Sequence, residues 1–352
     1  MKRLLIAAAL VAATGAIAQS APADYAEIAR LRDLNRGMQA VRPTPDGKHY
    51  TVLRDNAVLR YAYAAPQPAE VIFPAMPDDF RLVDYALSPD GKTVLAAEGA
   101  TPIYRHSYTT RYHLKDADGI RELPTGLAAT RDASFSPDGG RIALSSGNDL
   151  YLYDLTNDSL TRVTRDGEWN ATINGTTDWV YEEEFSFNRA LEFSPDSKML
   201  AFIRFDEREV PSYTFPVFAG EAPHITPYEK YPGEYTYKYP KTGEKNSKVS
   251  VHTFDIKSKV TRKINLPLEE GGYIPRIRFT QDPGKLAIMT LNRHQNRFDL
   301  YFADPRSTVC KLAVRDESDT YIRENVFDNI IFYPENFSFV SEKSGYNHLY
   351  WY

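Results

Sequence analysis

The sequence predicts an all-β fold, a β-propeller, from three observations. A short turn phrase recurs along the chain, an apolar strand follows each copy, and aromatic residues make up 13% of the composition, with 24 Tyr and 18 Phe. Aromatic side chains fit the pleated, half-buried surface of a strand. Recurrence every ~40 to 50 residues is the period of a four-stranded propeller blade, whereas a β-sandwich has no need of one hairpin phrase at that interval.

The chain opens with Met1-Lys2-Arg3, an apolar stretch from Leu4 to Ala13, and Ala16-Ile17-Ala18 before Gln19. This is the pattern of a secretory signal with an Ala-x-Ala cleavage site. Residues 1–18 are therefore expected to be a signal peptide, residues 19–40 an amino-terminal segment, and residues 41–352 the propeller. The apolar stretch is shorter than the roughly 20 residues that span a bilayer. The expectation is export to a bacterial periplasm or cell envelope, with no stable membrane span.

The turn phrases come next. They are Thr44-Pro45-Asp46-Gly47-Lys48, Ser88-Pro89-Asp90-Gly91-Lys92, Ser136-Pro137-Asp138-Gly139-Gly140 and Ser194-Pro195-Asp196-Ser197-Lys198, with a degenerate copy at Thr280-Gln281-Asp282-Pro283-Gly284-Lys285. Pro presets φ, Asp bonds the backbone ahead of it, and Gly takes the left-handed conformation, so each phrase is a tight hairpin. Apolar strands follow at Arg141–Leu144 and Met199–Ile203, and further strands at Asp149–Asp154 and Phe298–Asp304. The material suffices for about five to six blades. The stretch from Pro211 to Lys248, rich in Tyr, Pro and Gly without a clean period, reads as loops lying over the propeller surface.

Charge excludes one class of partner. With a net charge of −5 and scattered Lys and Arg, the chain lacks the basic stripe of a nucleic-acid binder. Cys310 is the single cysteine, so no intrachain disulfide forms, and it reads as a small buried hydrophobe. The histidines show no ligand spacing, and no metal or other cofactor is expected.

One segment carries chemistry. Thr177-Asp178-Trp179-Val180-Tyr181-Glu182-Glu183-Glu184-Phe185 sets three adjacent carboxylates among large aromatics. Like charges raise one another's pKa and invite a cationic partner. The segment, with the following Phe193-Ser194-Pro195-Asp196 and Arg204-Phe205-Asp206-Glu207-Arg208-Glu209-Val210-Pro211, resembles the dipeptidyl peptidase IV family of prolyl-oligopeptidase-like serine peptidases. Tyr104-Arg105-His106-Ser107-Tyr108-Thr109 is similar to a second phrase of that family, in the correct order.

The resemblance implies an eight-bladed propeller followed by an α/β-hydrolase domain. It implies that Glu183 and Glu184 bind the free α-ammonium of a peptide substrate and that Arg105 contacts a substrate carbonyl. The implied activity is a serine-type dipeptidyl aminopeptidase that releases Xaa-Pro or Xaa-Ala dipeptides, with dimerisation of the full-length parent a family expectation. Glu182 reads as structural, a local cap; Trp179 and Tyr181 read as packing residues; His106 reads as a packed or hydrogen-bonded framework residue, since the family's catalytic histidine belongs to the hydrolase domain. No Gly-x-Ser-x-Gly elbow occurs in these residues. The chain is therefore expected to be truncated before the hydrolase domain, without the Ser-Asp-His triad and inactive by itself.

Two other readings compete. A noncatalytic periplasmic propeller that binds a protein partner would carry similar Ser-Pro-Asp-Gly-Lys hairpins, but has no reason for Arg105 and the acidic segment. Acid–base glycoside hydrolysis needs two carboxyls facing each other across a bond, which adjacent glutamates do not predict.

Overall fold

The computed structural model describes residues 38–352 apart from 66, 78 and 219–230. The expected signal peptide and all but the last residues of the amino-terminal segment lie outside the described residues. From Gln39 onward the chain forms a succession of antiparallel meanders, mostly four-stranded, which are the blades of a β-propeller.

Blade 1 comprises β1 (Gln39–Pro43), β2 (His49–Arg54), β3 (Ala57–Ala62) and β4 (Pro68–Phe73). Blade 2 comprises β5 (Leu82–Leu87), β6 (Val94–Pro102), β7 (Tyr108–Asp116) and β8 (Gly119–Glu122). Blade 3 comprises β9 (Thr130–Phe135), β10 (Arg141–Ser146), β11 (Asp149–Asp154) and β12 (Ser159–Arg162). A single pairing, Thr110 with Thr130, joins blades 2 and 3 edge to edge.

In blade 4 the first strand is split into β13 (Thr172–Asn174) and β14 (Leu191–Phe193), which lie end to end along β15 (Met199–Asp206). A hairpin of β16 (Ser212–Val217) and β17 (Gly233–Lys238) is inserted before β18 (Lys248–Asp255) and β19 (Val260–Lys263) complete the blade. Blade 5 comprises β20 (Tyr273–Phe279), β21 (Leu286–Leu291), β22 (Arg297–Ala303) and β23 (Cys310–Glu317). The last described sheet holds β24 (Ile331–Phe332), β25 (Phe337–Ser341) and β26 (His348–Trp351).

The turn phrases do what their chemistry predicts. In each complete copy the Asp carboxylate accepts backbone N–H groups ahead of it; Asp90, for instance, takes Lys92 N at 3.1 Å and the Ser88 hydroxyl at 2.6 Å. The fourth copy replaces Gly with Ser197, which holds a left-handed φ of 57°. Its hydroxyl compensates by accepting Asp138 N at 3.0 Å, which ties that turn to the one in blade 3.

The core lies in the seams between blades, and the period of a strand explains why. Successive residues point to opposite faces of a sheet. Along β10, Ile142 and Leu144 fill the seam with blade 2, while Ala143 faces blade 4. Along β15, Leu200 and Phe202 face blade 3, while Ala201, Ile203 and Phe205 face blade 5. A strand buried on both faces must be apolar throughout, which is the unbroken run seen after each turn phrase.

The stretch 211–248 corrects the sequence expectation. Part of it is a hairpin, not loop: β16 and β17 pair from Ser212–Lys238 to Val217–Gly233, while residues 239–247 are irregular as expected. Alternation is present, with Thr214 opposite Thr236 on one face and aromatic rings on the other, but Pro216 within a strand disguises it. Pro is tolerated because the ribbon has only two strands, so a missing N–H removes no bond from a third. Cys310 is half-buried at the start of β23, and burial pushes its thiol up to about 11.

Candidate functional site

The split first strand of blade 4 creates the site. Between β13 and β14 the chain leaves the sheet and returns, its base closed by Thr177 N donating to Asn188 O at 3.1 Å and by the bridge of Thr176 with Arg189. Inside this excursion lies a short helix, α1 (Trp179–Glu184). Asp178 caps it, its carboxylate accepting Tyr181 N at 2.9 Å, and Phe185 and the left-handed Ser186 end it.

A helix turns by about 100° per residue, so three consecutive glutamates cannot share one environment. Glu182 is buried, with 1% of its surface exposed. Its Oε1 accepts His106 N at 2.5 Å and Ser107 N at 2.8 Å. Glu183 is half-buried and pairs with Arg105, whose Nε lies 3.2 Å from Oε1 and 3.0 Å from Oε2. Glu184 is exposed and lies toward blade 5 and beyond, where it adds to the raised pKa values of Tyr273 and Glu324 after burial of each.

The structure thus joins two phrases that stand 78 residues apart in sequence. Arg105 sits on the loop between β6 and β7 with its side chain 72% exposed, and the pair uses only Nε, so both terminal nitrogens of the guanidinium lie outside it. Glu183 and Glu184 share the rim of the excursion without a common partner among the described residues. The expected cap function of Glu182 belongs to Asp178 instead; Glu182 is structural in another way, as the acceptor that seats the Arg105 loop. His106 contributes its backbone N–H to that seat, while its ring is exposed rather than packed.

Behind the helix is a buried acidic pair that the sequence did not single out. Burial raises Asp178 to about 6, although Ser247 Oγ donates to it at 2.5 Å. Burial, with Asp178 adding, raises Glu207 at the end of β15 to about 8, and its Oε2 has no hydrogen-bond partner among the described residues. Tyr181, fully buried, packs on Phe205 with ring centroids 4.8 Å apart and accepts Ile274 N at 2.8 Å, fixing α1 to blade 5.

A family model, the Dipeptidyl peptidase IV (DPP IV) N-terminal region, matches residues 88–352. The chain belongs to the dipeptidyl peptidase IV family. Among curated relatives, a dipeptidyl peptidase 4 of Trichophyton equinum is 33% identical over 287 residues, which is 76% of this chain and 35% of that protein. A probable dipeptidyl peptidase 4 of Aspergillus flavus is 29% identical over 337 residues, 90% of this chain and 42% of that protein.

The crystal structure of Porphyromonas gingivalis dipeptidyl peptidase 4 superposes with a TM-score of 0.86 at 35% identity, covering 95% of this chain and 48% of that one. A putative dipeptidyl aminopeptidase IV from Bacteroides ovatus, 16% identical with a TM-score of 0.60, shares the fold. The chain therefore spans less than half the length of the dipeptidyl peptidase IV proteins it matches. The excursion, α1 and the Arg105 loop all lie within the residues matched by the family model.

Proposed function

We propose that this chain is the substrate-recognition propeller of a dipeptidyl peptidase IV-type serine exopeptidase, with Glu183 and Glu184 clamping the α-ammonium of a peptide and Arg105 holding a carbonyl near that end. The observation that carries the reading is the Arg105–Glu183 pair at 3.0 Å, seated on Glu182. A cation at this rim gains charge-assisted hydrogen bonds from carboxylates, and a blocked amino terminus, having no ammonium, forfeits them. Anchoring the terminal amine fixes which peptide bond reaches a nucleophile, so the enzyme measures two residues and releases Xaa-Pro or Xaa-Ala dipeptides.

In this reading the Ser, Asp and His of acyl transfer are contributed by a hydrolase domain outside these residues, and the propeller selects and positions. The leader pattern of residues 1–18 supports a location in the periplasm or cell envelope, where free peptides are the partners.

The test is kinetic, on the full-length gene product with a chromogenic Gly-Pro anilide. Glu183→Gln and Glu184→Gln are each expected to raise KM by about 10- to 100-fold, the worth of one charge-assisted hydrogen bond. The N-acetylated substrate is expected to be refused by the wild type. Unaltered KM in both variants would remove the amine clamp from consideration.

A further inference from the structure

The hairpin inserted in blade 4 reaches both halves of the site. Tyr235, Tyr237 and Tyr239 alternate along β17 and the residue beyond it, so a period of two sets their rings on one face. Tyr235 donates its hydroxyl to Ile103 O at 3.3 Å. Tyr237 lies 5.1 Å from Tyr104, between centroids, and stacks on Phe215 at 5.2 Å. Tyr239 lies 4.1 Å from Trp179, the first residue of α1.

The ladder therefore touches Ile103 and Tyr104, which immediately precede Arg105, and the helix that carries Glu183. Its root is fixed to blade 4 by Tyr239 N donating to Pro211 O at 2.9 Å and Lys238 Nζ donating to Val210 O at 2.8 Å.

An exposed Arg side chain has rotamer freedom that a binding site must suppress before substrate arrives. Glu183 holds one end of the guanidinium, but nothing in that pair fixes the loop from which Arg105 springs. Two supports do so from below: Glu182 on the backbone of His106 and Ser107, and the tyrosine face on Ile103 and Tyr104. Tyr237 also stands within electrostatic reach of the acids, since burial first, then Tyr239, Glu183 and Glu182, push its hydroxyl up.

We infer that the inserted hairpin is a positioning element of the recognition site, with Tyr237 holding the Arg105 loop directly and, through Tyr239, keeping it in register with the acidic helix for a substrate amine. This role rests on the proposed amine clamp and adds to it a third segment, remote in sequence from both.

The experiment compares Tyr237→Ala, Tyr237→Phe and Glu183→Gln in the full-length gene product, together with the Tyr237→Ala/Glu183→Gln double variant, on Gly-Pro anilide. Tyr237→Ala is expected to raise KM by about 10-fold or more, as misplaced groups do, with kcat changed less than about twofold. Tyr237→Phe, which retains the ring, should restore KM to near the wild-type value. In the double variant the two effects should fall well short of multiplying, because both act through one pair.

An unchanged KM in Tyr237→Ala, with a raised KM in Glu183→Gln, would overturn the hairpin's role and leave the clamp standing. No change in either, with KM also unaltered in Glu184→Gln, would sink both. Multiplicative effects with a lowered Tm would reduce Tyr237 to a stabilising residue and overturn the inference. Should Tyr237→Ala not fold, Tyr237→Leu is read in the same way, since it retains apolar volume but no ring face.

Discussion

At the scale of single residues, two buried carboxylates govern the site from behind. Glu182 gives one oxygen to two backbone donors, so Glu182→Ala leaves the N–H groups of His106 and Ser107 without their acceptor. A loss of about 2 to 4 kcal/mol in unfolding free energy is expected, measured by urea titration, and Glu182→Gln should recover part of it because an amide oxygen still accepts. Glu207 acts through its protonation. Its folded pKa of about 8 lies above the ordinary 4.5, so the folded state holds a proton that the unfolded state releases. Stability should therefore fall as pH rises from about 4.5 to about 8 and level off above. Glu207→Gln is isosteric with the protonated acid; it should leave Tm unchanged at low pH, near the ordinary carboxyl value, and raise it by a few degrees once the pH exceeds the folded value, in thermal melts. Asp178, raised to about 6, titrates within the same window, so the variant should retain part of the slope. Neither carboxylate's burial was legible in the sequence. Glu207 follows the strand Met199–Asp206 in a run of charges, and its neighbours Asp178, Lys238 and Tyr104 all come from segments remote in sequence.

At the scale of elements, legibility followed local chemistry. The turn phrases and middle strands could be read because Asp, Pro and Gly fix a hairpin within a single short phrase, and because burial in two seams demands an unbroken apolar run. Arg105 and Glu183 could be named from their phrases, but their pairing depends on blades 2 and 4 converging, which no local pattern encodes. The β16–β17 hairpin was misread as loops because Pro216 interrupts its alternation. The helix α1 was likewise invisible to a search for period, being a single excursion too short to show one. Its stability rests on the cap: Asp178→Ala should cost about 1 to 2 kcal/mol from the lost cap bond. That loss will be offset in part, at pH values above the raised pKa of Asp178, by removal of a buried charge, whereas Asp178→Asn, still an acceptor, should be milder. Circular dichroism cannot resolve one turn of helix, so hydrogen exchange at Tyr181 N, the donor in the cap, is the measurement that reports it.

At the scale of the whole molecule, the fold is a row of sheets whose hydrophobic contacts are made between neighbours. Among the described residues this leaves the outer edge of β26 with unpaired backbone groups beside Leu349 and Trp351, 69% and 59% exposed. Made as this 352-residue chain, the protein should self-associate through that edge, and Leu349→Lys should reduce the associated fraction seen by light scattering. The seams have a second consequence. Blade 3 stands between the blade that carries Arg105 and the blade that carries Glu183, with Ile142 and Leu144 packed on one side of it and Ala143 and Leu150 on the other. The two charged groups are then the jaws of a calliper, closed directly on each other and on Glu182, with the methyl groups in the seams of blade 3 forming part of its hinge. A change of volume among those methyls is therefore expected to alter the separation of Arg105 and Glu183 without a substitution at either charged residue.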